Sequence, residues 1–366
     1  MLGRPSTTPF RVICGTSAGA VNAALLAAHA DSFRSGVARL LRLWRNIEVH
    51  SVYKADFSAL STHGMRWLAS VLIGRRGPAR TASMLDSSPL RSLLRLEFDP
   101  DRIAAHIARG TLHALAINAT SYTTGHAVSF FQGASTIEPW QRIRRRGERA
   151  IIGIDHLLAS SAIPFIFRAA RVGDDFYADG SVRQIAPLST ALHLGARRML
   201  VIAVGQFVGQ RPVPGQANRP PRYPSFAQVA GHALSSIFLD NLGADLERLQ
   251  RLNRVLDLVP ADIQAAHPEN VHVDALVVGP SRDLGQLAIR YAHRLPTGVR
   301  YLLRGLGATE GTGANLLSYL LFDLKYCREL LALGYADALA RRDELEAFLG
   351  GDTAGYLPIF PAELLR

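Results

Sequence analysis

The pentapeptide Gly15-Thr16-Ser17-Ala18-Gly19 constrains the possible fold more than any other stretch of the chain. It lies between an apolar run, Arg11 to Cys14, that reads as a short strand and an alanine-rich run that reads as a helix to about Ala30. A strand that turns into a helix across a single residue brings two backbones together, and small residues two positions either side of the turn permit it. Gly15 and Gly19 meet that demand. Ser17 then sits on a sharp turn with its hydroxyl lifted above the strand end, which is the geometry of a nucleophile elbow. The following helix aims its first N–H groups, Ala18 foremost, at the space above Ser17, where a developing oxyanion would be stabilised. A glycine turn that only packs has the same composition, so the reading depends on finding a base.

Residues Val12 to Ala30 carry no Asp, Glu, Lys or Arg and end in Ala28-His29-Ala30, which imitates a secretory signal and its cleavage site. Gly15, Thr16, Ser17, Gly19 and Asn22 interrupt the apolar run, and a span needs roughly 20 predominantly apolar residues, so neither a leader nor a membrane helix is expected. The 366 residues include 48% hydrophobic and 19% charged side chains, a balance that excludes a disordered chain. The two cysteines, Cys14 and Cys327, are too far apart in sequence for a ribbon or CxxC pattern, so no metal site or disulfide framework is expected, and a cytoplasmic setting fits. Of 41 basic side chains only Lys54 and Lys325 are lysines, and the formal net charge is +11. The densest run is Arg142, Arg144, Arg145, Arg146 and Arg149, without interleaved aromatics or a nucleic-acid motif. It reads as a solvated helix end or loop, and any partner it has would be an anionic membrane surface rather than nucleic acid.

A serine hydroxyl needs a base to accept its proton. A Ser-Asp-His triad could draw on His193, His232, His267, His272 or His293, none of which stands in a distinctive loop after a strand. A Ser-Asp dyad needs no histidine. Asp179 suits the dyad: it closes the strand-like run Phe176-Tyr177-Ala178 and precedes Gly180, where a strand opens into a loop, although Asp-Gly is also an ordinary turn.

Taken together, several segments resemble the patatin-like phospholipase family. They are Gly15 to Gly19; Ala159-Ser160-Ser161-Ala162-Ile163-Pro164 followed by Phe167; Tyr177-Ala178-Asp179-Gly180 with Pro187 beyond; and Leu194-Gly195-Ala196 leading into Met199 to Val204. Weaker matches at Leu43-Trp44-Arg45, Ser88-Pro89-Leu90, Ile117 to Thr120 and Leu333 to Leu339 extend the resemblance over most of residues 10 to 340. It implies an α/β fold: a three-layer α/β/α sandwich with a mainly parallel central sheet and a helical C-terminal extension. It further implies a Ser17–Asp179 dyad, with Gly15, Ala18 and Gly19 forming the elbow and Gly180 the loop behind the base. The expected reaction is hydrolysis of acyl esters in phospholipids or related lipids, without cofactor or metal. Cleavage after Ala30 would discard the nucleophile, which counts against a leader.

Members of that family carry a glycine-rich oxyanion motif after their first strand. It does not occur in the 16 residues before Ser17, so the first strand is expected to be missing from this chain. Two alternatives follow, an impaired relative or a truncated form that acts as a lipid- or protein-binding module. Ser181 and Ile185 also depart from the family pattern, in which a glycine and an asparagine are common. The cluster Gly305, Gly307, Gly311 and Gly313 reads as a loop rather than a substitute.

The expected organisation is a core over 1–206, a Pro/Gly/Arg-rich loop over 207–224 and a mainly helical part over 225–366 packed on the same core. Within it, Val37, Leu40, Leu41 and Trp44 recur at helical spacing as core residues, and Leu112 to Ala119 reads as a strand. Gly205 to Ser225 reads as an exposed loop, Phe226 to Leu258 as helix, Val271 to Val278 as a buried strand and Ala314 to Leu349 as helix. Leu316, Leu317, Leu320, Leu321 and Leu324 are assigned to helix packing rather than to a lipid-facing stripe.

Overall fold

The computed structural model describes residues 7–55, 83–184, 186–204, 242–267, 270–305 and 314–350. Its contacts divide the chain into two compact units. One comprises Met1–Gln184, Tyr291–Gly305 and Tyr319–Arg328; the other comprises Ile185–Arg290, Leu306–Ser318 and Glu329–Arg366.

The first unit is built on a seven-stranded sheet. Strand β1 (Val12–Thr16) leads through Ser17 into helix α1 (Ala18–Ala27). The alanines and Val21 and Leu25 make α1 apolar on nearly every side, and a helix of that kind has to be buried. Helix α2 (Phe33–Asn46) packs on it, with Leu43 buried and the Trp44 indole donating to Asn22 Oδ1 at 2.7 Å, which satisfies the polar side chain in α1. Leu41, expected in the core, is exposed: the buried stripe of α2 runs through Leu43 instead. Helices α3 (Ser88–Glu97) and α4 (Asp101–Ala108) follow.

Strand β2 (Ala114–Ser121) is buried at all eight positions, as a strand covered on both faces must be. It pairs with β1 in parallel, Thr16 opposite Asn118, and with β3 (Ala127–Gly133) antiparallel on its other side. Strand β4 (Trp140–Arg142) and strand β5 (Arg145–Arg149) form a hairpin, with β5 parallel to β3. After helix α5 (Ile154–Ser160), strands β6 (Ala170–Val172) and β7 (Asp175–Asp179) form a second hairpin, and β7 continues the β1 side of β2 with Asp179 opposite Ala119.

Two expectations are corrected here. The ladders of this sheet are mainly antiparallel, because three of its six pairings are hairpins and β7 also runs against β2; only β1–β2 and β3–β5 run parallel. The arginine run is not a helix end, and only Arg144 stands in a loop: the other four lie on the paired strands of the β4–β5 hairpin, where Trp140 lies so close over Gly147 that a Cβ there would meet its ring at 2.3 Å.

In the second unit, β8 (Arg198–Ile202) and β9 (Asp274–Val278) form a parallel pair. A helix over 242–256 packs on it through Leu246 and Leu249, and Asn253 bonds both backbone groups of Val273. Residues 314–320, 324–340 and 342–350 are helical; Leu316 and Leu317 of this unit and Leu320 and Leu321 of the first are buried, in keeping with packing, and Leu324 of the first is half-buried. The segments 205–225 and 226–241, read as loop and helix, and Gly307, Gly311 and Gly313 of the glycine cluster lie outside the described residues, while Gly305, read as part of that loop, ends a helix over Thr297–Gly305.

Candidate active site

Ser17 is the residue between β1 and α1, at φ 57° and ψ −128°. A serine held at positive φ costs on the order of 1–3 kcal/mol, so surrounding contacts have to impose it. Four of them do. The Ser17 N–H donates to Ser160 Oγ at 2.9 Å, and Ser160 Oγ donates to the Asn118 carbonyl at 2.6 Å. Ser161 Oγ donates to the Ser17 carbonyl at 3.3 Å, and Ala20 N–H to the same carbonyl at 2.9 Å. Asn118 is itself fixed: its Nδ2 donates to Thr16 Oγ1 at 3.0 Å and its Oδ1 accepts from Ser129 at 2.8 Å.

Gly15 is required by close approach, since a Cβ there would lie 2.2 Å from the Gly19 carbonyl oxygen. Gly19 is not required in the same way: a Cβ on it would meet nothing within 4 Å. The demand for a missing side chain is therefore one-sided and falls on the strand. Ala18 is exposed and starts α1, so its N–H and that of Gly19 have no acceptor within the helix.

Asp179 ends β7 and is fully buried. Its backbone is tied on both sides: its N–H donates to Ala162 at 2.9 Å, and its carbonyl accepts from Thr120 Oγ1 at 3.0 Å. Oδ1 accepts the Ser181 N–H at 2.9 Å, while Oδ2, equally buried, has no donor in hydrogen-bonding geometry. Burial raises the Asp179 pKa from 3.8 to about 6, against the pull of the Ser17 hydroxyl and of the Ser181 amide and hydroxyl. The Ser17 hydroxyl is thus near enough to act on the carboxylate but is not aligned with Oδ2, and catalytic contacts in unliganded proteins are often loose in this way. Gly180 is another close approach: a Cβ would sit 2.3 Å from the Asn118 carbonyl oxygen and 2.9 Å from Thr16 Cγ2. Asp-Gly here is a packing requirement as well as a turn.

Serine 17, Asp179, Gly15, Ala18 and Gly180 therefore converge around the ends of β1 and β7, where both meet β2. Among the described residues no histidine acts on Asp179: His193 bonds the Ser189 carbonyl in its own helix and His272 lies beside Asp274, while His232 lies outside the described residues. Sequence reasoning missed the roles of Asn118, Ser160 and Ser161, although both segments carrying them had been noticed. It missed Tyr319 altogether. That phenol is half-buried, with a pKa pushed up to about 12 by burial and, secondarily, by the charge of Asp179, and nothing local in the sequence marks it.

No curated protein matches the chain. The model of the family described as patatin-like phospholipase matches residues 4–192, more than half of the chain and all of the site apart from Tyr319. With the elbow and the buried carboxylate inside that match, the chain belongs to the patatin-like phospholipase family.

Proposed function

We propose that this chain is a lipid acyl hydrolase of the phospholipase A or esterase type, with Ser17 as nucleophile and Asp179 as general base. Lipid ester hydrolysis is the chemistry of the family. The observation that carries the assignment to these residues is the pairing of a serine at φ 57° with a fully buried carboxylate that acts on it and has one oxygen without a donor. That free oxygen, Asp179 Oδ2, takes the Ser17 proton as Oγ bonds to the ester carbonyl carbon. The carbonyl oxygen becomes an oxyanion, for which Ala18 N–H and the N-terminus of α1 are the candidate donors. Collapse expels the alcohol, which takes the proton back from Asp179, and leaves the acyl group on Ser17. Water then attacks the acyl-enzyme with Asp179 again as base and releases the fatty acid.

With a pKa of about 6, Asp179 is largely ionised at neutral pH yet more basic than an exposed carboxylate, which suits a general base. We place the reaction in the cytoplasm at a membrane surface where acyl lipid is available. Among the described residues no helix is long and apolar enough to cross a membrane.

The test is hydrolysis of a short-chain chromogenic ester and of phospholipid vesicles by the parent chain, Ser17→Ala and Asp179→Asn. Both variants are expected to lose on the order of 10³-fold or more in turnover. Turnover retained in both overturns the dyad. A parent chain that is folded but hydrolyses neither substrate overturns the hydrolase reading in favour of a lipid- or protein-binding relative.

A further inference from the structure

The five arginines of the β4–β5 hairpin do different jobs. Arg149 is consumed by structure: it donates to the Gly133 and Ala134 carbonyls at 2.9 and 3.1 Å, also reaches the Ile137 carbonyl, and lies over the Phe131 ring at 5.2 Å. Arg146 pairs with Glu148 and contributes to the field on Asp175. Arg142 and Arg144 are exposed, Arg145 is half-buried, and among the described residues no carboxylate pairs with any of the three.

The turn that presents them is unusual. Arg142 pairs with Arg145, so the loop has only two residues, Ile143 and Arg144. Hairpins this tight favour glycine or asparagine wherever φ is positive, yet Arg144 occupies φ 57°. Ile143 beside it is 87% exposed. An aliphatic side chain held in water next to a cation held in a strained conformation makes no folding sense, and such outliers point to a surface kept for a partner.

Register places this tip relative to the catalytic residues. Arg145 is opposite Ala127, Ala127 opposite Thr120, and Thr120 opposite Ala178, one residue before Asp179. The tip therefore projects from the end of the sheet towards which β1 carries Ser17. Three strand spacings, roughly 15 Å, separate it sideways from β7. Tyr122 and Phe176, joined by a 2.9 Å backbone hydrogen bond, extend beyond the same row and are 54% and 51% exposed. The acidic groups at this end are already engaged: Asp174 pairs with Arg171 at 3.1 Å, and Asp175 accepts from Ser121 and Thr123 and is further held ionised by Arg146.

We infer that this end of the sheet docks on an anionic phospholipid bilayer. Ile143 enters the boundary between headgroups and acyl chains, Arg142 and Arg144 contact lipid phosphates with Arg145 behind them, and Tyr122 and Phe176 rest at the interface. Apolar and cationic side chains at one tip suit a bilayer, which offers both complements within a few ångströms, whereas a nucleic acid offers an isoleucine nothing. Docking in this orientation turns the open side of the elbow towards the lipid. The inference deepens the acyl hydrolase reading by naming where its substrate phase is met, but it does not need catalysis to be tested.

The experiment is flotation of the Ser17→Ala chain with vesicles of phosphatidylcholine alone or of phosphatidylcholine with phosphatidylglycerol. Binding is expected only to the anionic vesicles and is expected to weaken as salt rises. Arg144→Gly should lower partitioning roughly fivefold and Arg142→Glu by more than that. Ile143→Asp should lower it roughly tenfold or more. Arg144→Gly also relieves the positive φ, so its melting temperature should equal or exceed the parent's, which separates lost docking from lost folding. In chains that retain Ser17, the three changes should leave short-chain ester turnover unaltered while slowing hydrolysis of vesicles. Tip variants that float as well as the parent overturn the inference. So does loss of single-stranded RNA binding in those variants with flotation unchanged, which would assign the tip to nucleic acid. A chain that floats through the tip but lacks esterase activity fails the hydrolase proposal and keeps this one.

Discussion

Replacing Asp179 with asparagine should make the protein more stable at neutral pH while abolishing turnover. Folding moves this carboxylate into a site without solvent, where its pKa rises from 3.8 to about 6. The folded state thus holds its proton more tightly than the unfolded state. Below about pH 3.8 both states are protonated and the group contributes no penalty. As pH rises towards 6 the unfolded chain ionises first, stability is lost, and above 6 the loss levels off. The gap in pKa corresponds to about 3 kcal/mol, taking roughly 1.4 kcal/mol per unit. Asparagine keeps the shape and an oxygen for the Ser181 N–H and brings no charge into the buried site. Because it never ionises, it escapes the penalty.

The assay is urea unfolding of parent and Asp179→Asn at about pH 4 and at pH 8, read as the difference between the two proteins. Taking the difference cancels every other titrating group. The variant should gain about 3 kcal/mol on the parent between the two pH values, with most of the gain complete by pH 7. An advantage that is the same at both pH values would refute the reasoning, since it would mean that Asp179 titrates alike in the folded and unfolded chains.

The same shift sets the pH dependence of catalysis: kcat/KM should rise through a midpoint near 6 as Asp179 loses its proton, and a midpoint near 4 would show a solvated carboxylate. Gly15→Ala forces a Cβ to 2.2 Å from the Gly19 oxygen and should cost about 3 kcal/mol in thermal or urea unfolding, whereas Gly19→Ala meets nothing and should be neutral or stabilise by up to about 1 kcal/mol. Ser160→Ala removes the acceptor of the Ser17 N–H and the donor to the Asn118 carbonyl, and should cost about 2 kcal/mol together with a fall in kcat as the elbow loosens. Arg149→Ala loses its carbonyl contacts and the Phe131 stacking, and should lower stability by about 2 kcal/mol without changing the flotation of the Ser17→Ala chain.

What could be read from the sequence divides along a physical line. The elbow was legible because a strand-to-helix turn imposes local demands, met by Gly15, and the strand and helix around it could be named to within a few residues. Asp179 was legible through its place at a strand end. The clamp was not, because Asn118, Ser160 and Ser17 are brought together by β2 and α5 packing against β1, and Asn118 and Ser160 look like ordinary polar residues in their own segments. Gly19 was over-read, since a two-sided motif turned out to have a one-sided steric cause. The strand directions of the first sheet were misjudged because Ser121 to Ala127, Arg142 to Arg145 and Val172 to Asp175 join neighbouring strands by short reversals, and composition does not tell such reversals from crossovers. The arginine run was misplaced for a related reason: strand propensity is weak in Arg-Gly-Glu-Arg, and its pairing with β3 is what holds it extended.

Strain and buried charge fall on the two residues with the least freedom to move. Ser17 at positive φ costs on the order of 1–3 kcal/mol and ionised Asp179 about 3 kcal/mol more, which together are a large share of the stability of an ordinary domain. Such costs persist only where neighbouring structure fixes the backbone more firmly than the residue resists it. Here both residues border one strand: Thr16 is opposite Asn118, Asp179 is opposite Ala119, and both partners lie within the fully buried β2. Asn118 faces the elbow with its carbonyl, through Ser160, and with its amide, through Thr16, while the same carbonyl bars any side chain at Gly180 behind the base. Ser17 and Asp179 are therefore set against each other by a single register of hydrogen bonds. Asn118→Ala keeps that carbonyl and loses only the side-chain bonds to Thr16 and Ser129, so it is expected to lower ester turnover less than Ser160→Ala, which removes the acceptor of the Ser17 N–H itself; the reverse order in the same assay would show that the side chain of Asn118, not its carbonyl, holds the elbow.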